Sequence, residues 1–162
     1  MSDEHDLDPR VALDELERAE AAPYVSYPAT PWWHFPLMGL WVAAMIGVFT
    51  WWRENVALFV GGIAVLIAVE AGYLSWLMRS HGALPLPGRG TPPREIAPVW
   101  RGYFVGVVAV VAAVALVWWL AGVPVAAATA FVLVTGGLAE YDRRYERAAA
   151  RTRARLGIAG RS

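Results

Sequence analysis

Residues 105–117 read Val-Gly-Val-Val-Ala-Val-Val-Ala-Ala-Val-Ala-Leu-Val, without a charge, an amide or a hydroxyl. A helix on the surface of a soluble domain carries a polar stripe that returns every 3.6 residues, and this run has none. A buried strand would be shorter and closed by turn residues. With the flanking Tyr103-Phe104 and Trp118-Trp119-Leu120-Ala121 the run extends over 103–121, close to the roughly 20 residues a helix needs to cross about 30 Å of hydrocarbon. Valine is a modest helix former in water. In lipid, however, every backbone N–H and C=O has to be satisfied within the segment, and that requirement selects the helix.

Working outward, the same criterion finds three more spans: 35–52, 56–78 and 124–139. The second is interrupted only by Glu70. The fourth is short, and either Val123 extends it or the bilayer thins around it. Spans one and two are joined by Arg53-Glu54-Asn55, and spans three and four by Gly122-Val123 with Pro124 opening the next helix. Turns this short make each pair an antiparallel hairpin. The expected fold is all-α: an integral membrane four-helix bundle of two antiparallel helical hairpins, with short cytoplasmic helices at both ends. The expected organisation is an acidic segment 1–34, hairpin one at 35–78, a Gly/Pro-rich loop at 79–102, hairpin two at 103–141 and a basic tail helix at 142–162.

Charge is segregated along the chain. Residues 1–20 carry eight acids against Arg10 and Arg18, and residues 140–162 carry seven arginines against three acids. All 14 basic residues are Arg, which with the abundance of Ala, Val and Gly suggests a GC-rich bacterial origin. The Arg-rich segments (the head, the 79–102 loop and the tail) all fall on one side when the spans number four. The positive-inside rule then puts both termini in the cytoplasm of a multi-pass protein of the inner or plasma membrane. Tryptophans and tyrosines mark the two boundaries: Trp32, Trp33, Trp76, Trp100, Tyr103, Tyr141 and Tyr145 at the inner one, Trp51, Trp52, Trp118 and Trp119 at the outer one.

Residues 8–21 suit a short amphipathic helix with Asp8 as cap, Pro9 in the first turn and Leu13 and Leu16 on one face. Prolines at 23, 28 and 31 should keep 22–31 out of regular helix. At an offset of 67, Trp33 aligns with Trp100, Gly39 with Gly106 and Trp51-Trp52 with Trp118-Trp119. This admits a diverged parallel repeat, with recurring aromatic belts as the plainer reading.

Within the spans, Gly39, Ala43 and Gly47 are spaced by four, as are Ala64, Ala68 and Gly72. Small residues at this spacing allow close helix approach. The pairs 39/72, 43/68 and 47/64 fit an antiparallel hairpin turning at 55–56. Glu70 is the one acid at membrane depth. Such a group costs several kcal/mol unless it is paired, hydrated or protonated, and it is expected to face the bundle, with Thr129, Thr135 and Tyr73 as possible partners. It serves either to fix packing or to bind a proton or cation in a transport path. In the tail, Arg143, Arg147, Arg151 and Arg155 form one helical stripe. The stripe is suited to anionic lipid headgroups or to the acidic head, and no aromatic interleaving points to nucleic acid. Glu140 with Arg144 reads as an i,i+4 surface pair.

There is no cysteine, and His5, His34 and His81 are too scattered for a metal site. No phosphate loop, dinucleotide fingerprint, HExxH or nucleophile elbow occurs. No catalytic, metal or cofactor-binding residue and no cofactor is expected. The sequence thus points to a non-enzymatic accessory, scaffold or interaction subunit whose partners are the bilayer, anionic headgroups and a second copy or another membrane protein. The alternative is a small oligomeric transporter or channel using Glu70.

Overall fold

A computed structural model describes residues 9–26, 30–81 and 92–157. The Asp8 cap and most of the Gly/Pro-rich loop lie outside the described residues. Those described form five α-helices, with no strand among them: α1 (Pro9–Val25), α2 (His34–Val48), α3 (Val56–His81), α4 (Ala97–Ala121) and α5 (Val123–Leu156). A 3-10 turn, Phe49–Trp51, continues α2.

Four of these helices are long and apolar enough to cross a membrane, counting α2 together with its 3-10 turn. No more than 11% of the residues in any spanning window are buried inside the protein. Helices that apolar and that exposed have lipid as their solvent, so the chain is a multi-pass membrane protein. The spans end for local reasons. Asn55 Oδ1 accepts from the backbone N–H of Leu58 at 3.1 Å and so caps α3. Gly122 sits between α4 and α5 at φ 82°, ψ 178°, a conformation essentially reserved for glycine. One residue therefore reverses the chain.

The helix backbones approach one another in the order α3–α2–α5–α4. Among the described residues α3 and α4 make no such approach. α5 is the hub, and its small side chains explain why. Ala126 and Ala130, at 0% and 1% exposure, let α2 and α4 close on it, with Val42 and Ile46 of α2 and Val110, Val114 and Val117 of α4 packed around this cluster. Gly39 of α2 does the same one level down. A Cβ there would lie 2.8 Å from the carbonyl oxygen of Phe131 and nearer still to Thr135 Oγ1. A two-fold axis along the membrane normal would give α2 and α4 equivalent surroundings. Instead α2 lies between two helices and α4 beside one, so the offset-67 pattern reflects recurring boundaries rather than symmetric packing.

Two helices run past their expected ends. α1 continues through Pro23 to Val25, although proline removes one backbone bond. That last turn is held from outside, as described below. α5 is a single helix of 34 residues, so the fourth span and the basic tail are continuous. At about 1.5 Å per residue it is about 50 Å long, and it must stand some 20 Å clear of a 30 Å hydrocarbon layer. Nothing between Ala139 and Leu156 breaks it, and Glu140 Oε1 accepts from Arg144 Nε at 2.7 Å across one turn.

Candidate functional site at the charged end

The extension of α5 is covered by two other segments, α1 and the 92–96 turn that leads into α4. Ile96 (0% exposed), Trp100, Tyr24 and Ala148 form a small core there, with Val99, Tyr141 and Tyr145 packed around it. Trp100 is therefore an interior residue, its ring 5.9 Å from that of Tyr24 and tilted by 58° to it.

α1 and α5 lie antiparallel, and each caps the other. Tyr145 donates its hydroxyl hydrogen to the carbonyl of Tyr24 at 2.9 Å, and Arg153 Nη1 donates to the carbonyl of Val25 at 2.8 Å. These carbonyls belong to the last turn of α1, which has no intrahelical donors of its own. That is why the helix survives Pro23. In return Arg18 Nε donates to the carbonyl of Leu156 at 3.0 Å, in the last turn of α5. Gly157, at φ 62°, closes α5 in the left-handed conformation.

Charge completes the contact. Arg155 pairs with Glu17 of α1 and, through Nε at 2.9 Å, with Glu95 of the 92–96 turn. Glu95 also accepts from Arg94 at 3.1 Å, and the fully buried Thr152 hydroxyl lies 3.3 Å from its Oε2 and 3.1 Å from the Ala148 carbonyl. Loss of hydration pushes the Glu95 carboxyl up, but the hydrogen bonds from Arg94, its own backbone and Arg155, together with the Arg155 charge, outweigh this and hold it at about 2. Sequence reasoning passed over Glu95. The available signal was that it is the sole acid in an otherwise arginine-only loop.

Of the four stripe arginines, Arg155 alone is in an ion pair among the described residues. Arg143, Arg147 and Arg151 are exposed. On α1, Leu13 and Leu16 are 65% and 56% exposed. Beside the stripe lies a half-open cleft of about 470 Å³ between α5, the end of α1 and Thr30, lined also by Tyr24, Asp142, Glu146, Arg147 and Arg153.

Within the spans, the half-buried residues of α3 include Phe59, Ile63, Leu66, Glu70, Tyr73 and Leu77, at steps of four and three. That face meets α2: Trp41 Nε1 donates to the Leu66 carbonyl at 3.3 Å, and His34 Nδ1 is hydrogen-bonded to the Tyr73 hydroxyl. Glu70 is thus on the α2-facing side, one turn from the His34–Tyr73 pair. Thr129 and Thr135 are not beside it; they lie on α5, which makes no close approach to α3 among the described residues. Thr129 bonds back to the Val125 carbonyl at 2.8 Å and Thr135 sits over Gly39. The small-residue sets are also separated. Gly39 faces α5, whereas a Cβ on Gly47 or Gly72 would meet nothing within 4 Å, and Ala64 and Ala68 are exposed. Ala43 is half-buried on α2. Where α3 does fit α2 closely, the glycine is Gly62, against Val48.

No protein-family model matches this chain, and comparison with curated proteins and with solved structures finds no match.

Proposed function

We propose that the chain is a non-enzymatic accessory or interaction subunit of a bacterial inner or plasma membrane, built of two helical hairpins with both termini in the cytoplasm. The observation that carries this reading is the charged end. Head and tail cap each other into one ordered platform outside the membrane, and the platform leaves Arg143, Arg147 and Arg151 exposed on one helix and Leu13 and Leu16 exposed on another. Its basic stripe suits anionic headgroups, each arginine contributing about 1 kcal/mol near the surface. The α1 face suits a protein partner. The arginine distribution supports the cytoplasmic placement.

The test is co-purification in mild detergent from native membranes, using the full chain and a variant carrying Leu13→Glu and Leu16→Glu. The expected result is a membrane protein recovered in fixed ratio with the parent and lost with the variant. Recovery of the chain alone from both preparations would refute the subunit reading. Reporters fused to either terminus should both give the cytoplasmic signal, and a split result would refute the topology.

One observation favours a second reading, a small oligomeric transporter or channel. Glu70 lies on the helix-facing side of α3, one turn from the His34–Tyr73 hydrogen bond. Proton or cation flux into proteoliposomes that disappears with Glu70→Gln would establish it, and equal flux from both proteins would dismiss it.

A further inference from the structure

His34 is the first residue of α2, half-buried where the spans meet the charged end, and two other helices act on it there. From α3, the Tyr73 hydroxyl is hydrogen-bonded to its Nδ1. From α5, the charge of Asp142 acts on the ring. Asp142 is itself half-buried and is in no ion pair among the described residues. It lines the half-open cleft of about 470 Å³ together with Thr30, four residues before His34. The other ionisable groups near this level are Glu70, one turn deeper on α3, and Tyr141 and Arg143, which flank Asp142 on α5. The imidazole thus stands between a hydroxyl on one helix and, on another, a carboxylate at an opening to solvent.

The two protonation states of the ring make different demands on these neighbours. The neutral ring with its hydrogen on Nε2 accepts from Tyr73 at Nδ1. The imidazolium has no acceptor left, because both nitrogens donate. It also carries a charge that a half-buried position disfavours unless an opposite charge adjoins it. Asp142 supplies that charge, and the cleft supplies the route by which a proton arrives from solvent and returns to it. Protonation therefore takes the acceptor away from Tyr73 and draws the ring toward Asp142. Histidine is the side chain whose ordinary titration falls nearest neutral pH.

The consequence falls on α3, which among the described elements approaches only α2 and its 3-10 turn. Along that contact Val48 fits against Gly62 toward the outer end, Trp41 bonds to the Leu66 carbonyl midway, and the His34–Tyr73 bond secures the inner end. The rings of Trp33 and Trp76 pack beside it at 5.9 Å. Loss of the His34–Tyr73 bond loosens the inner end and leaves the other two attachments in place. We propose that His34 is a proton-binding site, reached from the cleft by way of Asp142, that locks the inner end of α3 to α2 when neutral and releases it when protonated. The site goes beyond the subunit reading and requires neither a partner nor ion flux.

The test is amide hydrogen exchange on the full chain in dodecyl maltoside at about pH 8 and about pH 5, on either side of the ordinary histidine range, corrected for the intrinsic pH dependence of exchange. The neutral ring is the form that holds Tyr73, so protection is lost as pH falls. Residues 70–79 should exchange about fivefold faster at the lower pH, the weight of one hydrogen bond. Residues 141–156 should not change, because Glu95 stays ionised throughout. His34→Gln cannot take up the proton and should give the same exchange at both values. Tyr73→Phe should exchange at both values as the parent does at the lower one. Asp142→Asn should need a more acidic solution for the same release. Equal protection of 70–79 in the parent at the two values would overturn the proposal. So would a pH dependence that survives His34→Gln, or one that disappears with Glu70→Gln and persists in the other variants, which would assign the proton to Glu70.

Discussion

The charged end and the membrane-spanning layer of this protein are held together by different means. At the charged end three segments bury Ile96, Trp100 and Tyr24 and join opposite charges at Arg155, and α1 and α5 satisfy each other's terminal carbonyls. In the spanning layer there is little burial, and contact is made where alanine or glycine allows backbones to approach. Water accounts for the first pattern, because apolar surface is costly in contact with water and a backbone carbonyl shielded from water is costly unless it accepts a hydrogen bond. Lipid accounts for the second, because it solvates a leucine as well as another helix does and leaves close packing to decide.

The largest expected effect breaks the first region and spares the second. Ile96 is wholly buried, and Ile96→Ala should cost about 2–5 kcal/mol through lost contact and the cavity left behind. Hydrogen exchange should show α1 and residues 141–156 losing amide protection while α2 to α4 keep theirs. Equal loss in both regions would mean that they fold as one unit.

Gly39→Ala makes the reverse cut. The added Cβ meets the Phe131 carbonyl and Thr135 Oγ1, and a backbone atom cannot rotate aside. α2 has to move off α5 at a cost of roughly 1–3 kcal/mol. Unfolding in detergent, followed by tryptophan fluorescence, should shift by that amount while the platform contacts persist.

These two sites also show what could be read from the sequence. The four spans were legible because 105–117 and its counterparts offer water nothing, and the head and tail were legible as opposite charges. The order α3–α2–α5–α4 was not. A lipid-facing residue and a helix-facing one are both apolar in a membrane, so the contrast that reveals a buried face in a soluble helix is missing. Gly39 could be recognised as a packing residue, but no pattern said that its partner was Thr135 rather than Gly72. The mutual capping was hidden for another reason: the acceptors at Tyr24, Val25 and Leu156 are backbone carbonyls, which every residue carries. Pro23 argued against the last turn of α1 for the same reason, since the donors that rescue it lie more than a hundred residues away.

A smaller effect sharpens the electrostatic part of the comparison. The Glu95 carboxyl is depressed to about 2 from an ordinary value of 4.5. A depressed carboxyl contributes stability that is present above its unfolded value and lost as pH falls through the folded one. Its contribution is therefore complete above about pH 4.5 and should decline between there and about pH 2. Glu95→Gln should destabilise the platform at neutral pH by about 1.5 kcal/mol, the low end for charge-assisted hydrogen bonds. It should also flatten this acid limb in the amide protection of 141–156. The spans, which lack the pair, should show neither change.

The smallest expected effect is the most discriminating within the membrane. Gly72→Ala adds the same methyl group as Gly39→Ala, but at a position where nothing lies within 4 Å. No backbone has to move. Alanine is the better helix former by up to about 1 kcal/mol in water, and inside a lipid-facing helix that already holds its hydrogen bonds the gain should be smaller. Gly72→Ala should therefore unfold within about 0.5 kcal/mol of the parent, the range of a substitution that touches no special feature. If it instead destabilises as much as Gly39→Ala, α3 packs through its small-residue face against something the isolated chain does not contain, and a second copy is then the first partner to seek. The comparison of one methyl group at two depths of packing thus measures whether the outer face of α3 belongs to lipid or to another protein.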